Sequence, residues 1–338
     1  MILVTGGTGL VGSHLLFELL KTEERIKAIK RSESNLNLTK KIFSYYSNDY
    51  EKIFSRIDWV DADVCDLQAL TIAMKGIEKV YHCAAKISFH KKDFELMVKT
   101  NVEGTANVVH AAIENKIKKI CYISSIAAIG RAKREIDEIT EETTWNESHH
   151  NSNYSKSKYS AEKEILKGIE NGLNAVIVNP SVIIGPGDWK KGSANLIYTV
   201  SKGMKYYTLG VNGYVDVRNV VKSMIQLMNS EIKNERFIIS SENLTYKDLF
   251  FLIADSLHCK RPYIRVNMFI SKIALAVNTL LKLFGNDYDI ITPETARTAN
   301  NKYFYSSKKI KERLNFEFIP INKSIDDTCK LFLKDMKS

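Results

Sequence analysis

Short apolar runs alternate with stretches of helical period through the first half of the chain. Met1–Val4, Ile26–Lys30, Ile57–Val60, Lys79–Cys83, Lys119–Ser124 and Asn174–Asn179 are the runs that predict strands. Between them, Leu10–Leu20, Phe94–Ile113 and Ser155–Ile169 carry the helical patterns. Such alternation predicts a parallel sheet, because parallel neighbours need long crossover connections that a helix supplies. Ser32–Ser55 breaks the rhythm as a polar insert with lysines and tyrosines, and is expected to be partly helical.

After Pro180 the pattern loosens. A turn at Gly185-Pro186-Gly187-Asp188 leads into the shorter elements Val220–Met228, Arg236–Ser240, Tyr246–Leu257, Ile264–Val266 and Phe269–Phe284. The expected fold is α/β: a doubly wound parallel sheet over 1–180 and a smaller C-terminal α/β lobe over 181–338, parts of which return to the sheet. Ala274–Phe284 is strongly apolar, but Lys282 interrupts it and Lys272 precedes it. It is too short and too charged for a span, so a buried or groove-lining helix is expected and no stable membrane insertion.

Bulk composition narrows the class only a little. The chain has 338 residues, 44% hydrophobic and 26% charged, as expected for a soluble globular protein. A net charge of +10 raises the question of nucleic acid. The Lys and Arg residues are spread out, however, with no charge block and no interleaved aromatics, so no nucleic-acid partner is expected. Cys65, Cys83, Cys121, Cys259 and Cys329 lie far apart with no C-x-x-C pair. That pattern suits buried free thiols in a reducing cytoplasm rather than zinc or disulfides. With the first strand read as starting at Met1, no signal peptide is expected.

The candidate chemistry begins at the first turn. Gly6, Gly9 and Gly12, in Thr5-Gly-Gly-Thr-Gly-Leu-Val-Gly12, follow a strand and open a helix. Glycines so placed let the backbone turn tightly and approach a pyrophosphate, which faces the helix N-terminus at the Leu10 and Val11 amides. This is the context of a Rossmann-type dinucleotide turn. An acidic residue about 20 positions on would hold the ribose hydroxyls of NAD. Here Ala28-Ile-Lys-Arg31-Ser32 intervenes, and no carboxylate appears until Glu33. Arg31, helped by Lys30 or Ser32, suits a 2′-phosphate, so NADP is expected, with NAD left open.

Tyr154 and Lys158 identify the use of that cofactor. Four residues apart on a helix, they share one face. The ammonium is expected to lower the phenol pKa, so that Tyr154 exchanges a proton with a carbonyl or carbinol oxygen while a hydride moves. Tyr159-Ser-Ala-Glu-Lys163 repeats the spacing, but Tyr159 lies about 140° around the helix from Tyr154 and is expected to pack. His149 and His150 read as exposed loop histidines, whereas His82, His90 and His110 lack metal-ligand spacing. Trp189 either lines a substrate pocket or packs.

With these residues in place the chain resembles the extended short-chain dehydrogenase/reductase family, along nearly its whole length. Asp63-Val64 resembles the family's adenine contact. His82-Cys83-Ala84-Ala85, running on to Lys86, resembles the segment beneath the cofactor. Thr100-Asn101-Val-x-Gly104-Thr105 resembles the next helix motif, with Asn101 ordering a water or backbone near the site. Ser124-Ser125-Ile-Ala-Ala-Ile-Gly130 resembles the active-site strand end, which implies Ser125 as the catalytic serine. Tyr154, Ser157, Lys158, Ala161 and Glu162 fit the pattern Tyr-x-x-Ser-Lys-x-x-Ala-Glu. Asn179-Pro180-Ser-Val182-Ile-Ile-Gly185-Pro-Gly resembles the loop against the nicotinamide, which brings in Pro180 and Val182.

The resemblance implies Ser125 on the substrate oxygen, Tyr154 as proton donor and Lys158 on the nicotinamide ribose. One departure is Asn219, where the family usually has Asp, in the segment that pins the lobes. Two subgroups compete. The dihydroflavonol-reductase and 3β-hydroxysteroid-dehydrogenase type reduces or oxidises a small hydrophobic substrate. The other type epimerises or dehydrates nucleotide sugars. Between Met204 and Val217 only Lys205 is basic, which points to the first. Asn179 is the counter-signal, because some epimerases hold phosphate with an Asn there. A non-catalytic NADP-binding regulator is a third reading, disfavoured by the intact Ser125/Tyr154/Lys158 set. A small-molecule substrate is expected, and a homodimer is left open.

Overall fold

Seven strands pair in parallel into one sheet in the computed structural model, which describes residues 1–88, 90–132, 134, 137–148, 151–267 and 299–337. In chain order they are β1 (Ile2–Thr5), β2 (Ile26–Lys30), β3 (Ile57–Asp61), β4 (Lys79–His82), β5 (Lys119–Ile123), β7 (Ala175–Pro180) and β11 (Glu235–Ile239), with the short β6 (Glu138–Ile139) set apart. Their spatial order is β11-β7-β5-β4-β1-β2-β3. The winding reverses between β1 and β4, which opens a crevice at the C-terminal strand ends there. Every residue of β1, β5 and β7 is buried, as expected for central strands covered on both faces.

Two apolar cores lie on the two faces. On one, α1 (Leu10–Leu19) contributes Leu15 and Leu16 beside Val220 and Met224 of α9 (Val217–Asn229) and Phe237 of β11. On the other, Leu70 of α4 (Leu67–Ala73) and Val108 of α6 (Gly104–Glu114) meet Ala161 and Ile165 of α7 (Asn153–Glu170). Thus α9 and β11 belong to the large sheet although they follow residue 180. The remaining lobe packs β8 (Val182–Ile184), β10 (Val211–Asp216) and β12 (Glu242–Thr245) with α8 (Asn195–Ser201), α10 (Tyr246–Ser256) and the C-terminal α12 (Ile321–Lys337).

The insert is partly helical as expected, with α2 (Asn37–Tyr46) and α3 (Tyr50–Phe54). Other elements differ from the sequence expectation. The long pattern 94–113 is not one regular helix: α5 (Phe94–Met97) widens into a π-helical turn over Val98–Glu103 before α6. α4, only seven residues long, is too short to show a period, although Asp66 caps it by accepting from the Ala69 amide at 3.0 Å. The apolar segment 269–284 and His149 and His150 lie outside the described residues.

Candidate active site

The glycine turn after β1 is closed by a Gly9 N–H to Gly6 carbonyl hydrogen bond of 3.0 Å. Gly6 has φ +68°, and a Cβ there would meet the Ala84 nitrogen at 2.5 Å. A Cβ on Gly12 would lie 2.1 Å from the Gly6 carbonyl oxygen. Two backbones therefore cross where no side chain fits, and the cradle suits a dinucleotide pyrophosphate at the start of α1. Ala84 enters the same corner, its amide donating to Thr5 Oγ1 at 3.2 Å. His82 fixes that corner from below. Its ring nitrogens contact Thr5 Oγ1 at 2.7 Å and Thr105 Oγ1 at 3.0 Å, and burial drives its pKa down to about 3.

Lys86 and Asn101 meet through backbone and amide. The Lys86 N–H donates to Asn101 Oδ1 at 2.7 Å, and Asn101 Nδ2 donates to the Lys86 carbonyl at 2.9 Å and to Ser157 Oγ at 3.0 Å. The π-helical turn carries Asn101, and such turns recur where a helix must re-aim a side chain. Asn101 therefore orders backbone, tying the segment after β4 to the start of α7.

Ser125, Tyr154 and Lys158 come together at the end of β5. Ser125 has extended backbone and its Oγ accepts from the Ala127 N–H at 3.1 Å. Ser152 caps α7 by accepting from the Ser155 N–H at 2.8 Å, which puts Tyr154 in the helix's first turn. Ser125 hydrogen-bonds the Tyr154 phenol, and this lowers a pKa that burial raises more strongly. Lys158, 1% exposed, donates to the Tyr122 hydroxyl and the Ile123 carbonyl, each at 2.8 Å. Burial drives its pKa down to about 7.

One expectation is corrected here. Lys158 is not among the groups that shift Tyr154, whose pKa lies above its ordinary value, not below. The ammonium is turned into the end of β5, and the phenol loses water faster than it gains positive charge. Lys30 is also redirected. It pairs with Asp61 across β2 and β3 and so is not turned to Arg31. Arg31 itself lines a cleft of about 340 Å³ with Thr8, Glu33, Ser34, Asn35, Leu38, Asp188 and Lys191. Val64 is 5% exposed and its side chain packs on Gly104, so only its backbone faces the crevice end of β3; Asp63 accepts from the Cys65 N–H at 2.9 Å. Pro180 is buried at the end of β7, and Val182 is half-buried at the start of β8.

Other candidates resolve into packing. Tyr159 stacks on Trp145 at 4.3 Å between ring centroids. Trp189 donates to Asp335 Oδ2 at 2.6 Å and meets Phe332 edge-on, inside the core of the C-terminal lobe. Asn219 donates to the Glu317 carbonyl at 3.3 Å and accepts from the Ile319 N–H at 2.8 Å. An Asp there has no N–H for Glu317, so the departure from the family pattern has a local use. Asn179 is 0% exposed, and its Nδ2 donates to Glu162 Oε2 at 2.9 Å and the Ser125 carbonyl at 3.0 Å. With both amide hydrogens engaged, it has none for a sugar-nucleotide phosphate.

The site's supporting layer is much less evident in the sequence than its motifs. Tyr122 bonds Lys158 and Arg236 bonds Glu162, yet neither has a fixed spacing from Tyr154. Among the described residues no group of three His, Cys, Asp or Glu side chains could hold a metal. No described helix is long and apolar enough to cross a membrane.

Known proteins agree with this architecture. The family model of the NAD dependent epimerase/dehydratase family matches residues 2–240. The chain therefore belongs to that family, and with it to the extended short-chain dehydrogenases/reductases. A Synechocystis sp. protein provisionally named dihydroflavonol 4-reductase is 28% identical, over 91% of this chain and 88% of its own. Cinnamoyl-CoA reductase 1 of Petunia hybrida is 24% identical, over 98% of this chain and 91% of its own. The crystal structure of gox2253 superposes with a TM-score of 0.82 at 30% identity, covering 99% of this chain and 98% of that one. UDP-glucose 4-epimerase of Thermotoga maritima shares the fold, with a TM-score of 0.76 at 19% identity and 99% of both chains covered. The protein is an oxidoreductase of the extended short-chain type that uses NAD(P) and a small-molecule substrate.

Proposed function

We propose that this protein reduces the carbonyl of a small, apolar substrate with NADPH, or runs the reverse oxidation. The observation that carries the reading is the convergence of Ser125, Tyr154 and Lys158 at the end of β5, beside the glycine cradle after β1. When bound in that cradle, a nicotinamide dinucleotide supplies or takes up the hydride. Gly6, Gly9, Gly12, Leu10 and Val11 would hold its pyrophosphate, and Ala84, Ala85, Lys86, Pro180 and Val182 would complete the cofactor site. Asp63 and Val64 would receive its adenine. Ser125 donates to the substrate oxygen and Tyr154 gives that oxygen its proton. Lys158 directs two of its three N–H bonds into β5 and keeps the third for a ribose hydroxyl.

Arg31, on the 340 Å³ cleft, supports NADP over NAD, since guanidinium matches a phosphate in shape and charge. The 1–180 region, its sheet completed by α9 and β11, would bind the cofactor, and the rest of 181–338 would cover the substrate. Five free cysteines suit a reducing compartment, which we take to be the cytoplasm. The names of the relatives direct the carbonyl panel towards dihydroflavonols and cinnamoyl-CoA.

The competing reading is a nucleotide-sugar epimerase, which returns the hydride to its own substrate and consumes no cofactor. Asn179, with its amide engaged inside the protein, favours the reductase. The test is loss of NADPH absorbance across the carbonyl panel, run beside interconversion of UDP-hexoses. Stoichiometric NADPH oxidation is expected. Sugar interconversion without net NADPH loss would reverse the ranking.

A further inference from the structure

Glu162 lies one helical turn beyond Lys158 on α7 and is 2% exposed. A carboxylate so deep in a fold is costly unless paired and hydrogen-bonded. It is both. Ser124 Oγ donates to Oε2 at 2.6 Å and Asn179 Nδ2 donates to the same oxygen at 2.9 Å. Arg236 of β11 reaches Oε1 at 3.1 Å. Through these bonds the carboxylate grips both sides of Ser125: Ser124 precedes it, and Asn179 holds its carbonyl at 3.0 Å.

We infer that Glu162 is a positioning residue that keeps the Lys158 ammonium charged and the Ser125 strand end in place. The inference rests on the catalytic reading of Ser125, Tyr154 and Lys158 given above. Lys158 needs such a neighbour. Its own hydrogen bonds go to a neutral phenol, Tyr122, and a backbone carbonyl, and burial opposes its charge. Among the ionisable groups acting on it, the Glu162 carboxylate is the largest favourable influence. Around the pair, the end of β4 presents His82 and the residue after it Cys83, β5 presents Tyr122, α7 presents Tyr154 and β11 presents Arg236. Burial keeps the Cys83 thiol neutral, with its pKa pushed up to about 12, and holds the His82 ring uncharged. Behind Arg236 stand the Glu141 carbonyl at 2.9 Å and Lys309, which donates to the Arg236 carbonyl at 3.0 Å. Arg236 thus pairs with the carboxylate from β11, while Lys158 lies one helical turn before it on α7.

Two substitutions should move Lys158 in opposite directions. Glu162→Gln removes the negative charge at nearly constant shape, so the alkaline limb of the kcat–pH profile should move acidward by about one pH unit. Arg236→Met removes the cation paired with that carboxylate and should move that limb alkaline-ward. The same two shifts should appear in the midpoint of the Lys158 Nζ resonance in ¹⁵Nζ-lysine-labelled protein without substrate, assigned by its loss in Lys158→Met. Shifts of the same sign, or an unmoved midpoint in either folded variant, would overturn the inference. The resonance is read without turnover, so its outcome is separate from that of the catalytic assignment, which Tyr154→Phe tests. Should Glu162→Gln fail to fold, Arg236→Met alone decides, because an unmoved Lys158 there removes the shared carboxylate from the account.

Discussion

At the inner end of the crevice Lys158 is 1% exposed and its ammonium is held by two hydrogen bonds of 2.8 Å. At the outer end, the Arg31 side chain is 63% exposed and pairs with Glu33 at 3.1 Å. Lys191 is 82% exposed and pairs with Asp188 at 3.3 Å across the same cleft. Both ends carry positive charge, but only the inner one sits in a medium that amplifies it. Exposed pairs are screened and weak, so an incoming phosphate can displace either carboxylate at little cost. Inside, each charge is tied to strand ends by short bonds, and a lost partner leaves a desolvated group behind. On the proposed reading, the chemistry is thus held rigidly while the choice of cofactor is left to replaceable surface contacts.

The largest effect should come from the inner end. Tyr154→Phe is expected to lower turnover by a factor of roughly 10² to 10⁴, with NADPH affinity nearly unchanged. Steady-state kinetics beside fluorescence titration of NADPH check both halves, and parental turnover would remove Tyr154 from the mechanism.

At the outer end, NADPH should bind more tightly than NADH, and Arg31→Ala should erase most of the difference. A charge-assisted phosphate contact of about 1.5–3 kcal/mol corresponds to roughly 10- to 150-fold. Equal dissociation constants for the two cofactors in the parent protein would show that Glu33 and Arg31 together serve ribose as well as phosphate.

A stability experiment separates the buried scaffold from both ends. His82 has a pKa of about 3 in the fold against 6.5 when free. Above pH 6.5 both states hold it neutral. Below that, the unfolded chain takes up a proton that the folded ring refuses, so stability falls with pH until the folded ring titrates as well. From this histidine alone, the loss between pH 7 and pH 5 is about 2 kcal/mol. Urea unfolding at the two pH values should show a smaller loss for His82→Gln. An equal loss in the variant would place the proton uptake elsewhere, with His14 next in line because burial brings it to about 4.

The smallest effect is expected at Tyr159→Phe, which should leave turnover within a few-fold of the parent, because the ring stacks on Trp145 away from Ser125. If this variant behaved as Tyr154→Phe should, the wrong Tyr-x-x-x-Lys pair would have been chosen.

What the chain alone made legible was whatever depends on neighbours in sequence. Each central strand of the first half showed as an apolar run because both of its faces are covered. The glycine turn and the Tyr154/Lys158 pair were visible because a turn and a helix face are set by spacings of three or four residues. Helix α4 escaped, being too short for a period. That parts of 181–338 return to the large sheet was expected, but which parts do (α9 and β11), and the pairing of β8, β10 and β12, depend on contacts between segments far apart in the chain, which periodicity does not encode.

The same limit applies inside the site. Sequence identified Ser125, Tyr154 and Lys158 as types, but their protonation was decided by what surrounds them. The ammonium expected to acidify Tyr154 is turned towards Tyr122 and Ile123 instead, and burial raises the phenol pKa. Asn179, ambiguous as a letter, became a structural link once its amide was found bonded to Glu162 and the Ser125 carbonyl. Arg236 and Glu162 stand 74 positions apart and meet only because β11 pairs with β7. Spacing along a chain fixes which groups share a turn, whereas desolvation and charge pairing act through space and are settled only when distant strands close on one another.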